Sequence, residues 1–173
     1  MCQAASFSVT EPLRDGRQIE IRAIRPSDRD ELLAASDRTS DRSLYRRFFG
    51  VRRAFSEHEV SAFVNVDFVH EVALVAVMRE IGRDLVAGGG RYIVVRPGTA
   101  EVAFTVVDEF QRQGIASALL RHLVALARAS GIGEFIAEVM PDNTAMLSVL
   151  EQSGLRLQRR RESGVVHITL QLV

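Results

Sequence analysis

Glu101-Val102-Ala103-Phe104-Thr105-Val106-Val107-Asp108-Glu109-Phe110-Gln111-Arg112-Gln113-Gly114-Ile115-Ala116-Ser117 is the stretch from which the rest of the chain is read. Its apolar, β-branched start predicts a strand, a short acidic turn closes it, and a helix opens near Gly114. A strand–loop–helix unit leaves the first N–H groups of the helix unpaired and pointing one way. The helix dipole adds partial positive charge there, so the loop suits a phosphate or diphosphate without many cationic side chains. Gly114 has no Cβ to hold such an anion away. Ala116 and Ser117 keep the next turn thin, and the serine hydroxyl adds a donor.

The loop is not a Walker loop, because no Lys follows Gly114, and not a Rossmann fingerprint, because no second Gly stands two residues before it. Bulk properties narrow the class further. A chain of 173 residues is expected to form one domain with a full core, and its 47% hydrophobic and 25% charged residues match an ordinary globular protein. The net charge of zero gives no broad field favouring nucleic acid or an anionic membrane. One cysteine, Cys2, leaves no intrachain disulfide and no Cys-rich metal site. No apolar run reaches the ~18 residues of a membrane span, and a cytoplasmic protein is the default expectation. All 22 basic residues are arginine, so the chain carries no lysine side-chain amine.

Working outward, residues 1–16 read as a polar, irregular lead, and residues 17–173 as a single domain. Ile19, Ile21, Ala23 and Ile24 predict a first strand that stops at Arg25-Pro26. Helices follow from Ser27 or Asp28, from Asp41 to Phe49, and from Ser56 to Val64. The last opens with a capping box between Ser56 and Glu59. Residues 72–78 and 85–95 predict an antiparallel hairpin turning at Gly82. Gly88-Gly89-Gly90 in its second arm marks a bulge or a close approach to the backbone. After the central strand, Ile115, Leu119, Leu123, Leu126 and Ala127 form a buried helical stripe. Residues 134–140 predict a strand and residues 144–152 a short helix. A final hairpin, 155–160 with 165–172, turns near Gly164.

Gln111-Arg112-Gln113-Gly114-Ile115-Ala116 resembles the acetyl-CoA-binding motif of the GNAT superfamily of N-acetyltransferases, Gln/Arg-x-x-Gly-x-Gly/Ala. Asn143 opens a second segment like that family's Asn-x-x-Ala pattern, with Gly154 at the expected separation. The order of elements from about residue 17 onward also fits. The resemblance implies an α/β fold: a mixed, mostly antiparallel sheet of about seven strands, flanked by helices, whose parallel fourth and fifth strands splay apart. It implies acetyl-CoA as cosubstrate, with its pantetheine arm in that gap. Phe104 and Val106 would then supply backbone groups to the arm. Gln111, Arg112, Gln113, Gly114, Ala116 and Ser117 would line the diphosphate site. Asn143 would contact coenzyme A, although a plain N-cap explains an asparagine there equally well.

Direct transfer needs a neutral amine, and a lysine amine of pKa about 10.4 is almost wholly protonated at neutral pH. Glu101 is the candidate general base, with Ala103 and Thr105 as small neighbours on its face and Glu138 as reserve. Ala100-Glu101-Val102-Ala103-Phe104 resembles the Pat-type bacterial protein lysine acetyltransferases, as does the N-terminal half. That similarity implies a protein lysine as acceptor, on a target like an acyl-CoA synthetase. A small amine is the alternative acceptor. Where many relatives carry a tyrosine as general acid, this chain has Leu150. Ser148 or a water would then protonate the thiol, or coenzyme A would leave as thiolate; a coenzyme-binding sensor without transfer is the other reading. His70, three residues after Asp67, is a weaker candidate for orienting substrate. His58 and His122 read as structural, Arg159-Arg160-Arg161 as solvated. No metal site is expected.

Overall fold

The chain, in a computed structural model, is described for residues 3–49 and 55–173. Cys2 lies outside the described residues. β3 (Glu71–Glu80) shows how the layers arise. Val72, Leu74, Ala76 and Met78 point to one side and Ala73, Val75 and Val77 to the other, all of them buried. A strand apolar on both faces must be covered twice, and helices do this here.

Eight strands form one sheet among the described residues, ordered β1-β2-β3-β4-β5-β6-β8-β7. Besides β3 they are β1 (Ser8–Pro12), β2 (Gln18–Ala23), β4 (Arg83–Arg96), β5 (Thr99–Val106), β6 (Glu134–Val139), β7 (Arg156–Glu162) and β8 (Val165–Gln171). Every neighbouring pair is antiparallel except β5 with β6. α1 (Arg29–Asp37), α2 (Asp41–Phe48) and α3 (Glu57–Val64) precede the long hairpin, while α4 (Ile115–Ala129) follows β5 and α5 (Thr144–Glu151) follows β6. This is the mixed sheet the resemblance implied, with the splayed pair numbered β5 and β6.

The sheet has one strand more than expected, because residues 8–12 of the supposed irregular lead pair with residues 18–22. Pro12 is tolerated there since β1 is an edge strand, where a missing N–H costs no ladder bond.

α4 lies across β3, β4 and β5 on one face. Its predicted stripe is the buried one: Ile115, Leu119, Leu123, Leu126 and Ala127 are at most 6% exposed. Each fully buried leucine contributes about 1.5–3 kcal/mol. α1 and α3 cover the other face, against Ile24, Ala73, Val75 and Val77. The capping box of α3 forms as read, with Ser56 Oγ accepting from Glu59 N (3.2 Å) and Glu59 Oε2 from Ser56 N (2.8 Å).

The close-approach reading of the triple glycine holds, whereas the bulge falls one residue before it. The β3–β4 register slips between Ala76 and Val77, leaving Ala87 as the extra residue of a bulge. The glycines also admit close neighbours: a Cβ on Gly90 would sit 2.7 Å from the Phe104 ring, and one on Gly88 2.7 Å from the Thr105 carbonyl oxygen.

Candidate active site

β5 and β6 pair at three positions only, Thr99 with Glu134, Ala100 with Phe135 and Glu101 with Ile136. Beyond Glu101 the strands part. Val102 to Val106 then pair with β4 alone among the described residues, which leaves the other edge of β5 without a ladder partner. A cleft of about 1020 Å³ opens there, bounded by Glu101–Val106, Ala137–Val139, the loop before α4, and residues of α2 and α5.

The floor of the loop is backbone. Arg112 and Gly114 take positive φ (+64° and +92°), turning the chain into α4. No side chain caps that helix, and its first main-chain bond runs from Ala118 N–H to the Gly114 carbonyl. The N–H groups of Ile115, Ala116 and Ser117 thus have no intrahelical acceptor, which is the anion-binding arrangement expected from the sequence.

Of the residues singled out from sequence, Glu101, Phe104, Val106, Gln111, Arg112, Gly114, Ala116, Ser117 and Asn143 line the cleft. Gln113 does not: its Oε1 accepts from Arg17 Nη2 at 2.8 Å, which turns the side chain toward the β1–β2 hairpin. Gln111 is already committed, its N–H to Asp108 O (3.2 Å) and its side-chain amide to Val106 O (3.1 Å) and Ser43 Oγ (3.2 Å). It braces the loop against β5 and α2. Asn143 caps α5, with Oδ1 accepting from Met146 N at 3.3 Å.

Glu101 is exposed and sits where the strands separate. Among the described residues it has no hydrogen-bond or ion-pair partner, so its carboxylate is available to a substrate. Arg47 on α2 interacts with it electrostatically. Burial and the like charge of Arg91 push that guanidinium down to about 10, and Glu101 opposes the shift. Glu138 also lines the cleft, 3.5 Å from His167 Nδ1. His70 does not line it. Asp67 accepts the N–H groups of Val69, His70 and Glu71 and pairs with His70 Nδ1 at 3.1 Å. The N–H groups of Glu71 and Val69 hold the Asp67 carboxyl well below the usual range.

Leu150 is 1% exposed and belongs to the core. Ser148 lines the cleft, and its hydroxyl accepts from Gln152 Nε2 at 2.9 Å. His122 is held by Glu11 and packs on Phe7, a structural role. Arg159 and Arg160, on the exposed edge strand β7, pair with Glu151 of α5 and with Glu162, and neither arginine lines the cleft. Among the described residues no group of His, Cys, Asp and Glu is placed to hold a metal, and no helix is long and apolar enough to cross a membrane.

Three contributors were missed from sequence. Arg46 Nη2 donates to Asp142 O (2.8 Å) and Oδ2 (2.9 Å), and Ser43 receives Gln111. α2 thereby ties the β5–α4 loop to the β6–α5 turn across the cleft. Arg46 stands in the last turn of a surface-like helix, where nothing local separates it from a solvated arginine. Arg14, in the β1–β2 turn, also lines the cleft.

Residues 28–155 match the model of the Acetyltransferase (GNAT) family. The chain belongs to that family. The GNAT match spans the first helix through the end of α5, so it includes the splayed strands, the loop at Gly114 and Asn143. Over 160 residues the chain is 31% identical to Acetyltransferase PA5475 of Pseudomonas aeruginosa, covering 91% of this chain and 86% of that protein. It is 35% identical over 171 residues to Acetyltransferase Pat of Mycolicibacterium smegmatis, covering 94% of this chain but 49% of that longer protein. The crystal structure of the GNAT domain of S. lividans PAT superposes with a TM-score of 0.86 at 36% identity, covering 95% and 96% of the two chains. Architecture and sequence therefore agree over nearly the whole chain with a Pat GNAT domain.

Proposed function

We propose that this chain transfers the acetyl group of acetyl-CoA directly to the side-chain amine of a protein lysine, on a target of the acyl-CoA synthetase kind. The gap that opens after Glu101 carries the reading. A pantetheine arm laid in it would pair with the open edge of β5 as an added strand. Its diphosphate would rest on the N–H groups after Gly114, and the arm would place the thioester near the fork where Glu101 stands.

In the ternary complex the amine nitrogen attacks the thioester carbon. The C–N bond forms first, as the carbonyl π pair moves onto oxygen; collapse of that tetrahedral species then breaks the C–S bond, whose electron pair leaves on sulfur. Glu101 takes the amine proton, directly or through one water. The oxygen of the tetrahedral intermediate is stabilised by oriented N–H groups. A thiol of pKa near 8.5 is a good leaving group, so a tyrosine is not required at the place of Leu150; Ser148 or water returns the proton. Glu138 would be the alternative base. The chain would act in the cytoplasm as one catalytic domain that includes the β1–β2 hairpin.

Leu150 favours one competing reading, a module that binds acyl-CoA without transferring it. Incubation with acetyl-CoA and a purified acyl-CoA synthetase, beside a panel of free amines, separates these cases. Acetylation of one synthetase lysine supports the proposal. Transfer to free amines alone replaces the acceptor, and tight binding without any transfer favours the sensor.

A further inference from the structure

The β1–β2 hairpin places two arginines against the loop before α4, and their surroundings differ. Arg17 is consumed by the protein. Its Nε pairs with Asp15 (2.7 Å), Nη2 donates to Gln113 (2.8 Å), Nη1 lies 3.8 Å from Glu80, and the guanidinium stacks 5.8 Å from the Phe110 ring centre. These contacts fasten the hairpin to the loop. The turn itself is fixed by Leu13 N to Arg17 O (2.7 Å) and Gly16 N to Leu13 O (3.0 Å).

Arg14 is held over the same loop but used for nothing there. Its Nε lies 3.7 Å from where a Cβ on Gly114 would be, and the side chain lines the cleft. Among the described residues it has no hydrogen-bond or ion-pair partner. A guanidinium always carries its charge and carries five donors suited to phosphate oxygens. Here it stands beside the unpaired N–H groups of the first turn of α4, on an anchored turn.

We propose that Arg14 is a phosphate ligand for coenzyme A, supplied by an N-terminal hairpin that completes the nucleotide end of the cleft. This deepens the reading of the cleft as an acyl-CoA site and rests on it. Two phosphate sources share the chemistry, the diphosphate and the 3′-phosphate of the ribose. The anchoring by Arg17 fixes the backbone of the turn, so binding has only the Arg14 side chain left to order.

The test is calorimetric affinity of the full chain for coenzyme A, 3′-dephospho-coenzyme A and pantetheine, with and without Arg14→Ala. The substitution is expected to weaken coenzyme A about tenfold, as for one exposed charge-assisted hydrogen bond, and to leave pantetheine unchanged. An equal loss with the dephospho form assigns the contact to the diphosphate; a loss confined to coenzyme A assigns it to the 3′-phosphate. An unchanged affinity for coenzyme A, or the same loss with pantetheine, overturns the proposal. Failure of the unsubstituted chain to bind coenzyme A would instead sink the acyl-CoA reading on which it rests.

Discussion

Replacing Glu101 by Gln removes a base while disturbing little else. The residue is exposed and has no hydrogen-bond or ion-pair partner among the described residues, and Gln is nearly isosteric. The register to Ile93 and Ile136 depends on backbone, so stability should change by less than about 0.5 kcal/mol. The kinetic effect should be large. With an amine pKa of about 10.4, roughly one lysine in 2500 is neutral at pH 7, and that factor bounds what proton removal can recover. General bases typically contribute about 10²–10⁴, so kcat/KM at pH 7 should fall about 10²–10³-fold, or roughly 2.7–4 kcal/mol. The loss should shrink as pH rises, because the amine deprotonates unaided, and should nearly vanish by about pH 10. Steady-state rates from pH 6.5 to 10, with acetyl-CoA affinity measured in parallel, provide the check. A loss below threefold, a loss that keeps its size across the pH range, or one explained by weaker coenzyme binding would refute the assignment.

Two further substitutions test the scaffold. Asp28 and Arg22 form a buried bidentate pair (2.7 and 2.8 Å), and Asp28 also accepts the Arg25 N–H (2.7 Å). Asp28→Asn leaves a buried guanidinium without its counter-charge and should cost about 3–5 kcal/mol in urea unfolding. Burial raises the Asp28 pKa, but the Arg22 and Arg25 bonds outweigh it and the net shift is downward. Its contribution is therefore complete above the unfolded carboxylate value of about 3.9 and drains as pH falls through the lower folded value; the variant should lose that part of the acid dependence. Gly90→Ala pushes a methyl into Phe104 and the Leu123 side chain (2.7 and 3.1 Å). It should destabilise by about 1–3 kcal/mol and, by moving Phe104, weaken acetyl-CoA binding more than Asp28→Asn does.

What could be read beforehand was mostly local. The Ser56–Glu59 box, the α4 stripe and the hairpin turning near Gly82 depend on spacings of a few residues, and they formed as read. The parallel pair and its gap came from the resemblance, since no local pattern encodes a ladder that stops after Glu101. β1 was hidden by its short polar alternation and by Pro12, which an edge strand tolerates. Gln113 was misplaced because its partner, Arg17, is 96 residues away. The same holds for Arg46 with Asp142 and for Arg14 beside Gly114: each contact is purely tertiary. His70 was singled out for its proximity to Asp67, and the pair exists, but it orders the entry to β3 rather than the cleft.

A crystal structure of the chain with acetyl-CoA is the most direct measurement. The pantetheine arm is predicted to lie between Val102–Val106 and Ala137–Val139, the thioester beside Glu101, and the diphosphate against the N–H groups of Ile115 to Ser117. Coenzyme bound elsewhere, or a gap still empty at saturating coenzyme, would contradict this.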